Sequence, residues 1–406
     1  MCKIFKIPPF GLDISDYSIE VLELKKKLGK VCLKGYGRVI LEKGILEEGE
    51  ILDREKLKEK VKEALEKTIP ERIKTDKVIV SLPESKTFIH FFKTAGKNDF
   101  KKQDSRELIR KEAEKIFPFD LKNFYYDINK GLFAAAPKKI VNEYLETLRE
   151  LKLRPVAIDI ESASLVRAFG KEIINEEAVL IIDIGARNTV LTIADKDSIK
   201  LSVLIPLAGN HFTETIKDNL KVSFEKAEEL KKECGLDPQK EEGKVMLVLQ
   251  KVFQDILTEI RKAISFYKEK NGREIKKILL CGGSAFLPKM DSYIASNLNF
   301  TVKIPDPWTG INVESLFRKK EFQKIIKTKF HPVFFANVIG LAERGLEKDP
   351  GREGINLIPQ PERVKPLFIG EKLSRSKTFS FIMVCFTMTA FIFLMWVIYA
   401  YILKGR

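Results

Sequence analysis

The sequence predicts a mixed α/β chain built from two similar halves, with one C-terminal helix long enough to cross a membrane. Three observations carry this. A turn chemistry occurs twice: residues 10–24 read FGLDISDYSIEVLEL, and residues 180–193 read LIIDIGARNTVLTI. Each is an apolar run reaching an Asp, a turn of small or polar residues, and a second run with apolar residues at alternating positions, which is the pattern of a β-hairpin. Residues 278–288, ILLCGGSAFLP, read as a buried strand opening into a Gly-Gly turn. From Thr378 to Leu403 no residue is charged.

The duplicated hairpin carries the chemistry. Asp13 and Asp183 stand at the mouths of tight turns. A carboxylate there can hold a metal-bound water while turn N–H groups face phosphate oxygens. Two such hairpins facing each other would clamp one nucleotide between two half-domains.

The elements between them follow in order. Residues 52–67 predict an amphipathic helix with Leu57, Val61, Ala64 and Leu65 on one face. Residues 78–82 form a short buried strand. Residues 80–155 read as an inserted α/β subdomain. It holds a helix at 105–116 stopped near Pro118, a strand pair near Tyr125 and Leu132, and a helix at 140–151. Residues 156–160 return to the core as a strand. Helices are expected over 221–232 and 245–268. The stripe Val245, Val248, Val252, Ile256, Ile260 and Tyr267 reads as core rather than a binding face.

A length of 406 residues leaves room for two domains, and 44% apolar with 32% charged residues indicates a globular chain. The net charge of +15 favours an acidic partner. Because no nucleic-acid module is visible, that partner is expected to be an anionic membrane surface. Cys2, Cys32, Cys234, Cys281 and Cys385 form no C-x-x-C pair, which argues against a disulfide framework or zinc site. His90, His211 and His331 have no neighbour at metal-ligand spacing. With no apolar run after Lys3 and Lys6, no signal peptide is expected, and the bulk of the chain is placed in the cytoplasm.

The uncharged run at 378–403 suffices for a span with some tilt, and Trp396, Tyr399 and Tyr401 sit where an interfacial belt would. Arg363, Lys365, Lys372, Arg375 and Lys377 precede it, and only Lys404 and Arg406 among basic residues follow. The positive-inside rule then leaves the large N-terminal part in the cytoplasm, the C-terminus outside and nothing folded beyond the membrane. A linker rich in Pro and Gly runs over 347–377 and carries one apolar island, Ile355-Asn356-Leu357-Ile358-Pro359.

Together these residues resemble the actin-like ATPase superfamily and, within it, the PilM family of type IV pilus assembly. Further elements of the resemblance are LKLRPVAIDIESASLVRAF at 151–169, LAGNHFTETI at 207–216, VSFEKAEELK at 222–231, ILLCGGSAFLPKM at 278–290 and HPVFFANVIGLAERGL at 331–346. The resemblance implies an actin-like two-domain fold. Residues 1–79 and 156–178 would form the first domain, interrupted by the inserted subdomain at 80–155. Residues 179–325 would form the second, 326–347 a final helix returning to the first, 348–377 the linker and 378–403 the transmembrane helix. It implies ATP and Mg²⁺ as ligands. Asp13 and Asp183 would hold the metal through water, and Ser15, Gly185 and Thr189 would lie in the phosphate hairpins. Gly282, Gly283 and Ser284 would face the adenosine. Glu228 and Lys231, in an A-E-x-x-K helix beginning at Ala227, would contact ribose and base, and Glu161 would orient the attacking water.

One departure bears on activity. PilM-like chains usually carry D-I-G-S-S-S-I-K at the first hairpin, whereas this one has Asp13-Ile14-Ser15-Asp16-Tyr17-Ser18-Ile19-Glu20. A glycine lets backbone N–H groups approach phosphate closely, and an added carboxylate there is repulsive unless a metal or basic group intervenes. ATP binding with weak or no turnover is therefore expected.

Residues 354–359, followed by basic residues and a span, are similar to the N-terminus of PilN, the inner-membrane partner that PilM binds through an I-N-L-x-P peptide. The expected function is a membrane-tethered nucleotide-binding scaffold for inner-membrane pilus or secretion assembly. Its partners would be PilN- and PilO-like proteins, with an assembly ATPase and a second copy of the chain as further candidates. The peptide is expected to dock in an extended form, either on its own chain or on a neighbouring copy. A GspL-like type II secretion component and an FtsA-like division protein are the alternatives. A sugar kinase is disfavoured because no sugar-pocket motif is evident.

Overall fold

The computed structural model describes residues 7–93, 103–173, 178–195, 198–313 and 332–359. The chain divides into two compact units, 1–363 and 364–406, and every described residue lies in the first. The span expected at 378–403 lies outside the described residues. Among those, no helix is long and apolar enough to cross a membrane.

In chain order the first half holds β1 (Phe10–Ile14), β2 (Ser18–Lys27), β3 (Lys30–Ile40), the short hairpin β4 (Leu46–Glu47) and β5 (Glu50–Ile51), α1 (Arg54–Glu66), β6 (Ile69–Pro70) and β7 (Lys77–Leu82). The insertion follows as β8 (Phe88–Phe91), α2 (Gln103–Ile116), β9 (Phe124–Asn129), β10 (Leu132–Pro137) and α3 (Lys138–Glu150). Then come β11 (Arg154–Ile160), α4 (Glu161–Ala168) and α5 (Gly170–Ile173). The second half is β12 (Val179–Ile184), β13 (Thr189–Ala194), β14 (Ile199–Ile205), α6 (Gly209–Leu220), α7 (Phe224–Cys234), α8 (Lys244–Asn271), β15 (Lys277–Cys281), α9 (Met290–Leu298) and β16 (Thr301–Lys303). β17 (Ile311–Asn312) and α10 (Ala336–Gly345) return to the first half.

The two halves share one topology. The first sheet runs β11-β7-β1-β2-β3-β17, with β6 on β3, and the second runs β14-β13-β12-β15-β16. In each, three strands form an antiparallel meander, a helical crossover follows, and two further strands add parallel to the first strand. The repeated hairpins are therefore equivalent parts: the β1–β2 turn in one half and the β12–β13 turn in the other. The central strands are buried on both faces, which is why β12 is a continuous apolar run up to Asp183.

Local chemistry sets the helix ends. Asp53 caps α1 by accepting the Lys56 N–H at 3.0 Å, and Leu57, Val61 and Ala64 fill the buried stripe. The helix expected from 221 begins instead at Phe224. Lys221 ends α6 in the left-handed conformation at φ 55°, and Ser223 caps α7 by accepting the Lys226 N–H. The insertion is a three-stranded sheet, β8-β10-β9, with its own aromatic core of Phe88, Phe117, Phe124 and Phe133.

The halves meet through α4, α5 and α10. Leu165, Phe169 and Ile173 pack against Val179, Ile181 and Leu279 of the second sheet and Ala336 of α10. Gly340 makes the close crossing of α10 over α4, since any side chain there would collide with the Ser164 carbonyl.

Candidate functional site

The two hairpin turns meet where the halves approach each other, with Arg187 of the second turn 2.8 Å from Asp16 of the first. Asp13 is the penultimate residue of β1, paired in register with Glu20. Asp183 holds the same place in β12, paired with Val190. Asn337, in the first turn of α10, donates its amide to Asp13 Oδ1 at 2.7 Å and to the Ser81 hydroxyl at 3.0 Å. Glu161 opens α4 at the end of β11, and its Oε2 accepts the Glu84 N–H at 3.2 Å.

These carboxyls perturb one another. Burial pushes Asp13 well above the ordinary carboxylate range, and the charges of Glu20 and Asp183 push it the same way. Burial likewise raises Glu161 well above its ordinary value, with Asp13, Glu84 and Asp183 adding to it. Asp183 is raised to about 6 by burial and then by Glu84. Hard oxygen donors of this kind suit a divalent ion such as Mg²⁺. Among the described residues no three His, Cys, Asp or Glu side chains stand close enough to hold a metal directly.

The turns themselves are closed differently. Ser15 stands where Gly185 stands in the second hairpin. Its N–H and hydroxyl both donate to the Ser18 carbonyl at 3.0 Å, and its Oγ accepts the Ser18 N–H at 3.1 Å. The Gly185 N–H donates to the Asn188 carbonyl at 3.0 Å, while its own carbonyl accepts the Gly209 N–H at 3.1 Å and the Ser284 hydroxyl at 3.2 Å. The first turn of α6 is thereby seated on the second hairpin. Thr189, fully buried, donates its hydroxyl to the Leu207 carbonyl at 2.6 Å and ties β13 to the approach to α6.

The Gly-Gly turn after β15 lies against this hairpin. Gly282 has φ +84°, and a Cβ there would collide with the Asp183 carboxylate and the Ile184 carbonyl. The Ser284 N–H donates to the Ile184 carbonyl at 2.9 Å, while Gly283 is less confined. The structure therefore brings Asp183, Gly185, Gly282 and Ser284 into one surface. Glu228 and Lys231 sit one layer further out. The buried Lys231 ammonium donates to the Gly209 carbonyl at 2.9 Å and the Thr213 hydroxyl at 2.8 Å, and pairs with Glu228 at 2.6 Å.

Both added acids of the first hairpin have basic partners. Glu20 pairs with Arg38 of β3 at 2.7 Å. Asp16 pairs across the cleft with Arg187 of the second hairpin turn at 2.8 Å. Each of these carboxylates thus has an arginine partner, although the Glu20 charge still acts on Asp13.

A second site lies on the far edge of the first sheet. Residues 355–359 run along β11 in the same chain. The Leu357 N–H donates to the Ile158 carbonyl at 2.9 Å. Asn356 is fully buried; its Oδ1 accepts the N–H groups of Ile158 at 3.2 Å and Ile358 at 3.1 Å. Its Nδ2 donates to the carbonyls of Val156 at 3.2 Å and Gly351 at 2.8 Å, and its backbone N–H donates to Asp127 Oδ2 at 3.0 Å. Ile355, Leu357 and Ile358 join the core cluster of Tyr144, Leu145, Leu148 and Ile160, and Pro359 is half-buried. Beneath them Arg344, fully buried, pairs with Asp159 at 2.7 Å and donates to the carbonyls of Pro350 at 2.8 Å and Ile355 at 2.5 Å.

The family model for the type IV pilus assembly protein PilM matches residues 11–345. The chain belongs to the PilM family. Among solved structures, one described as a PilM-PilN type IV pilus biogenesis complex aligns with a TM-score of 0.68 at 22% identity, covering 84% of this chain and 99% of the other. That match supports the actin-like α/β fold of this PilM-family chain. Two others align less well. The ethanolamine utilization protein EutJ of Carboxydothermus hydrogenoformans has a TM-score of 0.49 at 15% identity, over 82% of this chain and 88% of its own. MreB5 of Spiroplasma citri bound to AMPPNP has 0.46 at 17%, over 79% and 96%.

Sequence reasoning missed Asn337, Glu84, Arg187 and Arg344. The first two complete the acid cluster, the third bridges the hairpins and the fourth underlies the tail. Arg187, Asn337 and Arg344 lie inside stretches that carry the resemblance, but their roles depend on partners such as Asp16, Asp13 and Asp159 that only the fold brings near.

Proposed function

We propose that this PilM-family chain is a nucleotide-binding scaffold of the inner-membrane part of a type IV pilus machine, tethered to the bilayer through 378–403. In this reading it supplies its own docking peptide. The observation that carries it is the placement of Ile355–Pro359: a segment similar to the partner's I-N-L-x-P peptide is buried on the edge of β11 of the same chain. An extended segment joined to a sheet edge, with alternate side chains in pockets, is a common mode of peptide recognition. Intramolecular tethering holds the segment at high effective concentration.

ATP with Mg²⁺ would lie in the cleft. Asp13 and Asp183 would hold the ion through water. Gly185, Gly282, Gly283 and Ser284 would line the phosphate and adenosine surfaces, and Glu228 and Lys231 would flank the sugar. The ion would neutralise the crowded carboxyls. Glu161 would orient the attacking water, and Ser15 in place of the usual glycine of the first hairpin favours binding over turnover. Partners would be PilN- and PilO-like membrane proteins on the cytoplasmic face of the inner membrane.

The test is binding of a labelled peptide of residues 352–366 to the chain cut back to residue 349, with and without Mg-ATP. Saturable binding that Asn356→Ala in the peptide weakens supports the reading. Absence of binding to a folded domain would reduce 355–359 to a linker packed on its own body.

A further inference from the structure

The contact between the two hairpin turns is built like an anion site. Asp16, in the first turn, is held by three donors at once. Arg187 Nε of the second turn lies 2.8 Å from its Oδ2; the Glu48 N–H donates to the same oxygen at 3.0 Å, and the Gly49 N–H to Oδ1 at 3.4 Å. Glu48 and Gly49 form the tip of the β4–β5 hairpin, both in the left-handed region at φ 48° and 81°. Successive backbone N–H groups in such a turn, with a guanidinium beside them, form the concavity that elsewhere cradles phosphate. Arg187 also reaches Glu47 Oε1 at 2.8 Å, so its fork is shared between two carboxylates. Its side chain is about one-third exposed (35%) and Asp16 is 19% exposed, so water and a ligand can reach both.

The geometry points to Arg187 as a terminal-phosphate ligand held in reserve, with Asp16 and Glu47 standing in for the phosphate oxygens. The inference rests on the nucleotide reading above and goes beyond it. It names the residue that separates a triphosphate from a diphosphate and makes Asp16 a competitor for that residue. When a triphosphate enters between the hairpins, its terminal oxygens take over the guanidinium, and Asp16 keeps the two N–H groups of 48 and 49. The exchange trades one anion for another at a planar fork suited to both carboxylate and phosphate. It also loosens the bond between the two turns, so a triphosphate would change how the halves are latched while a diphosphate would not.

The two sides of the pair then have opposite effects. Asp16→Asn keeps the shape and removes the competing charge, so the full chain in detergent should bind a fluorescent ATP analogue about fivefold more tightly, with a smaller change for the ADP analogue. Glu47→Gln, on the exposed outer arm, should act in the same direction more weakly. Arg187→Gln should weaken ATP binding about fivefold or more and narrow the difference between ATP and ADP. Raising the salt concentration should reduce each effect. If nucleotide binds but Arg187→Gln leaves the ATP-to-ADP ratio unchanged, or Asp16→Asn weakens ATP, Arg187 is only a structural bridge and the inference falls while the nucleotide reading stands. If neither analogue binds the wild-type chain or any variant, both fall.

Discussion

Replacing Asn356 by Ala should release the 355–359 segment from β11 while leaving the rest of the domain folded. The magnitude follows from the contacts. Three buried apolar side chains, Ile355, Leu357 and Ile358, gain ~2 kcal/mol each, or about 6 kcal/mol together. Ordering five backbone residues costs ~1–2 kcal/mol each, or about 5–10 kcal/mol. These terms cancel to within a few kcal/mol, so polar contacts decide whether the segment stays. Asn356 supplies four of them through one amide, to Ile158, Ile358, Val156 and Gly351. A buried donor or acceptor that loses its partner costs ~1–3 kcal/mol. Release of the segment lets water satisfy these groups and caps the net loss near ~3 kcal/mol, which corresponds to roughly a hundredfold rise in the open population.

Hydrogen exchange reads this directly. Protection of the amides of Ile158, Leu357 and Ile358 should fall by about two orders of magnitude, while that of Leu191 in the second sheet should hold. Unchanged protection at the three amides would refute the reasoning. So would an equal loss at Leu191, which would mean that Asn356 supports the whole domain rather than the attachment of one segment.

Two further outcomes follow from the cleft. Gly282→Ala requires a Cβ where the Asp183 carboxylate and Ile184 carbonyl already sit, at a φ that disfavours side chains, so it should abolish binding of a fluorescent ATP analogue at a temperature where the chain remains folded; near wild-type binding would separate this turn from the nucleotide surface. The acid cluster should make stability fall as pH rises. A carboxyl whose pKa is raised by folding binds its proton more tightly in the folded chain, so its contribution is complete below the unfolded value of 3.8 and is lost as pH passes the folded value of about 6 for Asp183. That shift of about 2 units corresponds to at most ~3 kcal/mol, less the screening by cleft water. Thermal unfolding should show the wild-type chain losing stability between about pH 4 and 7. Asp183→Asn should flatten the slope and millimolar Mg²⁺ with ATP should reverse it; an Asp183→Asn profile parallel to wild type would sink the argument.

What was legible in the sequence was local. Alternation around Asp13 and Asp183 marked both hairpins, because side-chain direction in a strand has period two. Their equivalence is a property of topology, seen once β7 and β15 add parallel to β1 and β12. The helix start expected at 221 went wrong for a reason also written in the chain: Ser223 is a capping residue, and Lys221 belongs to the end of the preceding helix. Asn337 was illegible because its partner Asp13 lies 324 positions away, and nothing in a short window links them. Arg187 reads as a surface turn residue until the opposite hairpin is placed. The apolar island at 355–359 stood out from its Pro- and Gly-rich surroundings, but its groove is made by β11 and α3, and only the fold supplies that.

The two sites are joined by one short helix, and this bears on how a nucleotide could act on the 355–359 segment. At the start of α10, Asn337 holds Asp13; at its end, Arg344 holds the Ile355 carbonyl. Seven residues of helix separate them, or ~10 Å. The helix is packed tightly through Gly340 against α4, so a shift at one end has little freedom to be absorbed before the other. A nucleotide that redirects Asp13 toward a metal ion changes what Asn337 can bond, and any resulting movement of α10 reaches Arg344. Thermodynamic linkage then requires the reverse: segment docking must alter nucleotide affinity by the same factor. The expected result is that Mg-ATP changes exchange protection at Leu357 and Ile358 by roughly 5- to 150-fold, the ordinary range of coupling between sites. Asn337→Ala should erase that change while leaving the segment docked in the absence of nucleotide. If the ATP-dependent change survives in Asn337→Ala, the Asn337–Asp13 contact of α10 is not the connection, and the coupling must pass by another route such as α4.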